Sequence, residues 1–191
     1  MIIDNSWEYK SKIKLILLLW NNVKMKALYI GRFQPFHNGH LKLIQNIQSK
    51  YDEIIIGIGS SQYCYDKQNP FTIEERRLMI EKTLKENKIN NFIIYEISDI
   101  NNYPKWVSHV ESIIPDFDAV ISNNPITTAL FKKKGYRVIK SRFYNRKDFS
   151  GKEIRKKIIS NGEWEKSIPK PVYNIIKKID GVKRIKSLSK K

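Results

Sequence analysis

Short apolar runs rich in β-branched residues alternate along this chain with longer segments whose apolar residues recur at helical spacing. Nearly all the runs are apolar throughout, as expected of strands that are covered on both faces of a parallel sheet. The predicted strands are residues 27–30, 53–58, 92–97, 119–122 and 136–140. Their alternation with helical segments predicts repeated βα units in one α/β domain.

Each pair of consecutive strands encloses one predicted helix, and the four helices are residues 38–49, 72–86, 104–114 and 126–134. Thr72 followed by Glu75 forms a capping box at the start of the second helix, and Gly135 is placed to end the fourth. Two further helices, at 150–159 and 169–179, follow without a strand between them. We therefore expect a three-layer sandwich with a five-stranded, mainly parallel sheet and C-terminal helices.

The chain has 191 residues, a length that suits one domain with short appendages. Residues 1–24 precede Met25, a natural beginning for the first strand, and we expect an N-terminal extension that is either a disordered arm or an over-long gene start. Its apolar run, 13–20, is shorter than the roughly 20 residues of a membrane span, and no small-residue cleavage site follows. The domain is predicted over 25–181, and the basic residues 182–191 are expected to be a frayed tail.

The formal charge of +17 would attract polyanions without any specific motif. The 28 Lys and 8 Arg are scattered along the chain, and no zinc-finger spacing or aromatic RNA-binding signature accompanies them. Nucleic-acid binding is therefore the weaker interpretation, and an anionic small substrate explains part of the excess charge. Cys64 is the single cysteine, which excludes an intrachain disulfide and a thiolate cluster within one chain and suits a cytoplasmic protein.

The most informative segment is 31–40, Gly-Arg-Phe-Gln-Pro-Phe-His-Asn-Gly-His, which joins the first predicted strand to the first helix. Ligands of open α/β sheets bind at this edge, and helix-start amides bind anions. His37 and His40 can point the same way, and Gly39 between them lets a phosphate approach the backbone. One alternative is a metal site, which lacks further ligands nearby. Another is that one histidine caps the helix and the other packs in the core.

This segment resembles the phosphate-binding motif of the nucleotidyltransferase superfamily, and its Gly-Arg-Phe-Gln-Pro-Phe-His-x-Gly-His form is similar to that of the archaeal nicotinamide-nucleotide adenylyltransferases. The resemblance runs from Met25 to about Ile185. It implies a Rossmann-like fold and transfer of the adenylyl group of ATP to nicotinamide mononucleotide (NMN), which yields NAD and pyrophosphate. It also implies a place in NAD biosynthesis and a homo-oligomer, such as a hexamer.

A second block, 150–155 (Ser-Gly-Lys-Glu-Ile-Arg), resembles the family's Ser-Gly-x-x-Ile-Arg signature at a helix start that binds the ATP phosphates. Free amides at the positive end of a helix and the forked charge of Arg155 suit a second anion clamp. Taken alone, the block is equally typical of an N-capped surface helix. The family usually has Thr where Lys152 stands, so an amine replaces an expected hydroxyl group.

The resemblance assigns His37 and His40 to the ATP phosphates, and Arg32 and Arg155 to the charge of the transition state and of pyrophosphate. Mg²⁺ is expected to bridge the phosphates, held by phosphate and water oxygens and by no protein side chain. The other residues implied in ATP binding are Gly31, Phe33, Gly39, Asn124, Arg146, Ser150, Gly151 and Lys152. The residues implied in binding NMN or NAD are Ile30, Ser60, Asp99, Ile100 and Trp106.

Trp106 lies where the family stacks a tryptophan on the nicotinamide ring, although core packing alone would also explain a tryptophan there. Asn124 is expected near the ribose of ATP. Two neighbours depart from the family pattern: Tyr103 stands where relatives often have Asn, and Asn123 stands where they have Gly. These departures affect the expected identity of the acceptor substrate and leave the expected class of reaction unchanged.

Three shorter blocks also match the family, at residues 52–62, 69–76 and 145–146. Each is unremarkable by itself. His109 lies in a predicted helix without a motif partner and is interpreted as structural. Asp116 and Asp118 flank a strand start and are interpreted as turn residues.

The expected reaction is direct in-line attack of the NMN 5′-phosphate on the α-phosphorus of ATP. Because this nucleophile is already ionised at neutral pH, positioning and charge stabilisation carry catalysis, and no general base is needed. Other members of the superfamily use pantetheine phosphate, a flavin mononucleotide or a CTP-dependent alcohol phosphate, and the first motif alone does not exclude them. A nucleic-acid-binding protein that keeps a nucleotide pocket is the alternative from another class.

Overall fold

The computed structural model describes residues 24–140 and 149–190, and its secondary structure follows the predicted alternation. The strands are β1 (Lys26–Gly31), β2 (Glu53–Ile58), β3 (Phe92–Glu96), β4 (Ala119–Ile121) and β5 (Arg137–Ile139). The helices are α1 (Asn38–Ile47), α2 (Ile73–Glu86), α3 (Tyr103–Ile113), α4 (Pro125–Lys133), α5 (Gly151–Ile159), α6 (Lys170–Lys178) and α7 (Gly181–Ser189). A short 3-10 helix, Glu165–Ser167, precedes α6.

The five strands run parallel in one sheet with the order β3-β2-β1-β4-β5. The central strand is β1, whose Leu28 is in register with Ile55 of β2 on one side and Val120 of β4 on the other. The chain builds outward from β1 to β3 and then crosses to β4 and β5, so the order reverses between β1 and β4. Ligands of open α/β sheets bind at the carboxyl edge beside such a reversal. The predicted Rossmann-like fold with a five-stranded sheet is confirmed.

Helices cover both faces of the sheet. Successive residues of a strand point to opposite faces, so each strand packs side chains against the helices on both sides. Ile54 and Ile56 pack into a larger core with α1, α2, α5, α6 and α7, whereas Ile55 between them packs into a smaller core with α3 and α4. All three isoleucines are fully buried. Burial on both faces explains why the predicted strands are apolar at successive positions, and it confirms the three-layer sandwich.

Two predicted helix boundary signals are present. Glu75 N–H donates to Thr72 Oγ1 (3.3 Å) and Thr72 N–H donates to Glu75 Oε2 (3.0 Å), which forms the capping box of α2. Gly135 lies just beyond α4 with φ of +89°, in the left-handed region that favours glycine. Side-chain and backbone chemistry at these two positions therefore sets where the helices begin and end.

The C-terminal residues depart from the sequence expectation. The prediction of a frayed tail after Gly181 is wrong, because residues 181–189 form helix α7. Ile185 is buried in the larger core, and Arg184 forms an ion pair with Glu75 of α2 at 2.6 Å. The many basic residues of this segment obscure its apolar stripe, so its composition suggests a solvated tail.

The predicted N-terminal extension, 1–24, falls almost wholly outside the residues that the structure describes. Among the helices within the described ranges, none combines the length and the apolar character that crossing a membrane requires.

Candidate active site

The loop from β1 to α1 turns tightly around the ring of Phe33. A Cβ atom added to Gly31 would lie 2.9 Å from Phe33 Cζ, so this position favours glycine. Phe33 is buried and has φ of 51°. Its ring meets the imidazole of His40 edge-on, with 4.8 Å between the ring centroids. These two predicted ATP-site residues, Gly31 and Phe33, therefore shape the loop that presents the histidines.

His37 and His40 stack face to face at the start of α1, with ring centroids 3.5 Å apart and ring planes 18° apart. His37 is the N-cap of this helix. Its Nδ1 accepts a hydrogen bond from His40 N–H (3.4 Å), and His40 Nδ1 accepts one from His37 N–H (3.2 Å). The alternative of a capping histidine is thus partly right. Capping, however, occupies only the Nδ1 atom of each ring.

Hydrogen bonding fixes the tautomer of both imidazoles. Because each Nδ1 accepts a backbone N–H, a neutral ring must carry its proton on Nε2. Burial lowers the pKa of His37 to about 3. Burial, and then the nearby His37, lower the pKa of His40 well below its usual range. Both rings are therefore neutral at neutral pH, and each has one Nε2–H group that can donate to an anion.

Gly39 brings the segment before α5 against the histidine pair. A Cβ atom at this position would lie 3.0 Å from Phe149 Cβ and 3.1 Å from His37 Cε1. The sequence analysis predicts that this glycine lets a phosphate approach the backbone. The structure shows a further requirement, which is the close packing of Phe149 against α1.

The N-terminus of α5 docks on the loop of the first motif. Ser150 caps this helix by accepting a hydrogen bond from Glu153 N–H (3.2 Å). Arg155 donates from Nη1 to the carbonyl oxygen of Gln34 (2.6 Å). Gly151 permits the approach, because a Cβ atom there would lie 2.7 Å from the same oxygen. The two predicted phosphate motifs, from distant parts of the sequence, therefore meet at one edge of the sheet.

Positive charge is concentrated where the two motifs meet. Burial, and then the charge of Arg32, lower the pKa of Arg155, and the carboxylate of Asp66 partly opposes them. Arg32 itself is exposed and donates from Nη1 to Gln68 Oε1 (3.3 Å). Burial raises the pKa of Asp66, but hydrogen bonds from Asn69 and Gln68 and the charge of Arg155 lower it overall. Two neighbouring guanidinium groups beside one carboxylate leave a net positive charge that suits a polyphosphate.

Four of the five residues predicted to bind nicotinamide nucleotide lie after β2 or β3. Ser60 Oγ donates to Asp99 Oδ2 (2.6 Å). Gln62 holds the backbone of Asp99, because its Nε2 donates to Asp99 O (2.8 Å) and its Oε1 accepts from Asp99 N–H (3.0 Å). The ends of the two strands are thus tied together by side chains. Among the predicted residues, Ile30 lies on neighbouring β1 and packs with the smaller core.

A cavity of about 330 Å³ brings four predicted residues together: Asp99, Ile100, Trp106 and Asn124. The half-buried ring of Trp106 packs edge-on against Phe131, with 5.7 Å between centroids. Trp106 therefore packs against the smaller core and also lines the cavity. Asn124 caps α4, since its Oδ1 accepts from Ile126 N–H (2.9 Å). Tyr103 lies at the rim and is 64% exposed.

Two residues predicted to bind ATP remain to be located, Lys152 and Arg146. Lys152 is exposed in the first turn of α5. Arg146, together with Asn145, lies outside the described residues. A second cavity, of about 420 Å³, is formed by α6 and α7 and is lined by none of the predicted site residues.

Comparison with known proteins identifies the family of this chain. The cytidylyltransferase-like family model matches residues 28–157. The nicotinamide-nucleotide adenylyltransferase of Methanococcus aeolicus is 51% identical over 167 residues, which cover 87% of this chain and 96% of that protein. The corresponding enzyme of Picrophilus torridus is 47% identical over 165 residues, covering 86% and 98%. This chain belongs to the nicotinamide-nucleotide adenylyltransferases.

A solved structure shares the fold of this adenylyltransferase chain. It is the bifunctional NMN adenylyltransferase/ADP ribose pyrophosphatase of Francisella tularensis, complexed with AMP and a Mn ion, with a TM-score of 0.71 and 24% identity. The match covers 87% of this chain and 52% of that one, so the present chain spans about half of its length.

Sequence reasoning missed two residues that hold this candidate site in shape. Gln34 is buried, and its side-chain amide exchanges two hydrogen bonds with the backbone of Phe71, at 2.9 and 3.0 Å. Arg76, also buried, donates to carbonyl oxygens at the ends of β1 and β2. The matching block at 69–76 was the available signal, but its contacts depend on loop geometry that spacing does not reveal.

Two of the residues interpreted as structural or turn residues, His109 and Asp118, have structural contacts. The Nε2 atom of His109 lies 3.0 Å from the carbonyl oxygen of Ser98, which attaches α3 to the segment after β3. Asp118 accepts a hydrogen bond from Lys26 N–H (2.7 Å), at the start of β1. Both contacts hold elements of the sheet and its helices together.

Proposed function

We propose that this protein transfers the adenylyl group of ATP to NMN, forming NAD and releasing pyrophosphate. The observation that carries the proposal is the hydrogen bond from Arg155 to the carbonyl of Gln34, since it brings both phosphate-binding motifs to one edge of the sheet. Relatives at 47% and 51% identity that are named for this activity support NMN as the acceptor.

The proposed reaction is a direct displacement at the α-phosphorus of ATP. An oxygen of the NMN 5′-phosphate forms the new P–O bond, while the bond to the bridging oxygen breaks and pyrophosphate leaves with its electron pair. The Nε2–H groups of neutral His37 and His40 donate to phosphate oxygens. Arg32 and Arg155 offset the charge that develops on pyrophosphate. No proton has to be removed from the nucleophile.

The triphosphate of ATP is proposed to lie between the N-termini of α1 and α5. The amides that follow Ser150 lie at the positive end of α5, and exposed Lys152 replaces the usual hydroxyl as a phosphate ligand. No group of three or more His, Cys, Asp or Glu side chains in the described ranges is placed to hold a metal ion. Mg²⁺ is therefore proposed to bind to phosphate and water oxygens, where it would neutralise part of the phosphate charge.

The nicotinamide ring is proposed to enter the cavity lined by Trp106 and to stack on its indole. At about 330 Å³, the cavity falls within the range of small-molecule pockets, roughly 300–1,000 Å³. Asp99, whose carboxylate accepts a hydrogen bond from Ser60, supplies a polar group at one side, and Ile100 supplies an apolar wall. A flat, electron-poor ring with a polar substituent suits this lining.

An acceptor panel tests the proposal. Purified protein is incubated with ATP, Mg²⁺ and either NMN, pantetheine phosphate or flavin mononucleotide, and a further arm combines CTP with an alcohol phosphate. Pyrophosphate and the coupled product are measured in each arm. NMN is expected to give NAD and pyrophosphate in equal amounts with the highest kcat/KM. A higher kcat/KM with another acceptor contradicts the choice of NMN, and salt-dependent RNA binding without turnover in any arm would favour the nucleic-acid alternative.

Assembly and location complete the proposal. A homo-oligomer, such as a hexamer, is proposed from the family resemblance, and light scattering of the purified protein checks it. A cytoplasmic location is proposed from the single cysteine, Cys64, which suits a reducing compartment.

A further inference from the structure

Arg76 of α2 is fully buried, although arginine is rarely buried completely. Its guanidinium group is satisfied by hydrogen bonds to backbone. The acceptors are the carbonyl oxygens of Gly59 (2.9 Å), Arg32 (3.1 Å), Ser60 (3.2 Å), Thr72 (3.2 Å) and Ser61 (3.4 Å). A single side chain therefore binds several stretches of backbone at once.

Four of these five carbonyls belong to the two loops that carry the proposed substrate contacts, and the fifth, that of Thr72, lies at the N-cap of α2 itself. Arg32 directly follows β1 in the histidine loop, on the ATP side. Gly59 and Ser60 directly follow β2, and Ser60 Oγ bonds to Asp99 on the NMN side. Ser60 has φ of 51°, and its carbonyl in this conformation accepts from Arg76 Nη2. One planar group thus fixes the loops after two adjacent strands.

We infer that Arg76 is a positioning residue that sets the distance between the ATP and NMN subsites. This inference rests on the proposed function. In-line transfer requires reacting atoms about 3 to 3.5 Å apart and aligned, so the relative placement of the two loops governs the rate. Arg76 touches neither substrate and acts through the backbones of Arg32 and Ser60.

Lysine cannot reproduce this arrangement. Its ammonium group is a compact charge on a flexible stem, whereas guanidinium has five donors in a rigid fork. Arg76→Lys keeps the charge and loses the simultaneous hold on both loops. Because a misplacement of about 1 Å costs about 100-fold in rate, Arg76→Lys is expected to lower kcat about 100-fold and to change the Kd of each substrate alone less than about fivefold.

The experiment compares wild type, Arg76→Lys and Arg77→Lys by steady-state kinetics, single-substrate binding and circular dichroism. Arg77 is the matched control, since it is the next residue of the same helix, its side chain is 34% exposed and it pairs with Glu96. Arg77→Lys is expected to keep kcat within about twofold of wild type. Arg76→Gln, which is uncharged, serves as a second variant if Arg76→Lys does not fold.

Several results would overturn the inference. One is a folded Arg76→Lys variant whose kcat per folded molecule stays within about threefold of wild type. Another is loss of substrate binding as large as the loss of kcat. Failure of both Arg76 variants to fold would also overturn it, because the role would then be structural. Absence of NAD formation by wild type would instead remove the proposed function before any variant is compared.

Discussion

The guanidinium group of Arg155 donates a 2.6 Å hydrogen bond to the carbonyl oxygen of Gln34, which is 121 residues away in the sequence. Gln34 is itself fixed, because its buried side chain bonds to the backbone of Phe71 in both directions. One loop, held by these hydrogen bonds, therefore carries the histidine pair and anchors the helix of the second proposed phosphate clamp. A change that moves α5 against this loop should disturb both clamps together.

Gly151→Ala tests that docking. The added Cβ would lie 2.7 Å from the oxygen of Gln34, so the helix or the loop must shift. We expect kcat/KM for ATP to fall about 10- to 100-fold because alignment is lost. Overpacking is expected to cost about 1–3 kcal/mol of unfolding free energy. Steady-state kinetics and urea unfolding measure the two effects.

Gly162→Ala is the matched control for this substitution. Its added Cβ would meet its nearest neighbours at 3.5 Å or more, which is ordinary contact. The control should keep the kcat/KM of wild type. Equal kcat/KM values for Gly151→Ala and Gly162→Ala would show that α5 docking does not matter for the reaction.

His40→Ala removes one of the two Nε2–H donors from the proposed phosphate site. Loss of one such donor typically costs about 100- to 1,000-fold in kcat, and we expect a loss of that size here. Asn46→Ala, at an exposed position of the same helix, controls for general effects on α1. Rapid-quench or steady-state assays at saturating ATP give the comparison. A near-normal rate for folded His40→Ala would remove the histidine from the mechanism.

The buried imidazole of His37 should make the protein sensitive to acid. The pKa of His37 is about 3 in the folded state and about 6.5 when unfolded, so below about pH 6.5 the unfolded state binds the proton first. Stability from this group is fully present above about pH 6.5 and is lost progressively as the pH falls towards about 3. Urea unfolding of wild type should therefore show a falling free energy of unfolding between about pH 6.5 and 4.

His37→Asn isolates this contribution, because asparagine is a favoured N-cap that does not titrate. The variant should lose less unfolding free energy than wild type over the same pH range, although its activity should be low. Parallel pH dependences for the two proteins would mean that His37 is not held neutral by burial.

The ion pair between Arg184 and Glu75 should hold α7 on the domain. The two side chains are only 18% and 16% exposed, and they join at 2.6 Å. Removing one partner leaves a poorly hydrated charge, so Arg184→Gln is expected to lower the unfolding free energy by about 2 kcal/mol, between the values for surface and buried pairs. Lys183→Gln, at the exposed neighbouring position, should change it by less than about 0.5 kcal/mol. Similar urea midpoints for both variants would contradict this role of α7.

Much of the fold could be predicted because its signals are local. Three successive apolar residues, Ile54 to Ile56, indicate a strand that is covered on both faces of the sheet. The capping box of Thr72 and Glu75 marks the start of a helix in the sequence itself. The histidine pair could be located as well, because its spacing places both rings in one helical turn.

Other features could not be predicted because they arise from tertiary contacts. Arg76 is a charged residue in an amphipathic helix, and its burial depends on carbonyls that two loops bring together. The contact of Gln34 with Phe71 spans 37 residues and depends on loop shape. Arg184 lies in a segment with the composition of a basic tail, and its ion pair with Glu75 depends on tertiary structure that composition does not reveal. The prediction of a frayed C-terminal tail, which is based on composition, is therefore wrong.

The most direct test follows ATP labelled with radioactive phosphorus at its α-phosphate, mixed with NMN, Mg²⁺ and the wild-type protein. Direct adenylyl transfer predicts that the label appears in NAD, that unlabelled pyrophosphate is released in equal amount, and that no label stays on the protein. Failure to form labelled NAD, or label retained covalently on the protein, would contradict the account.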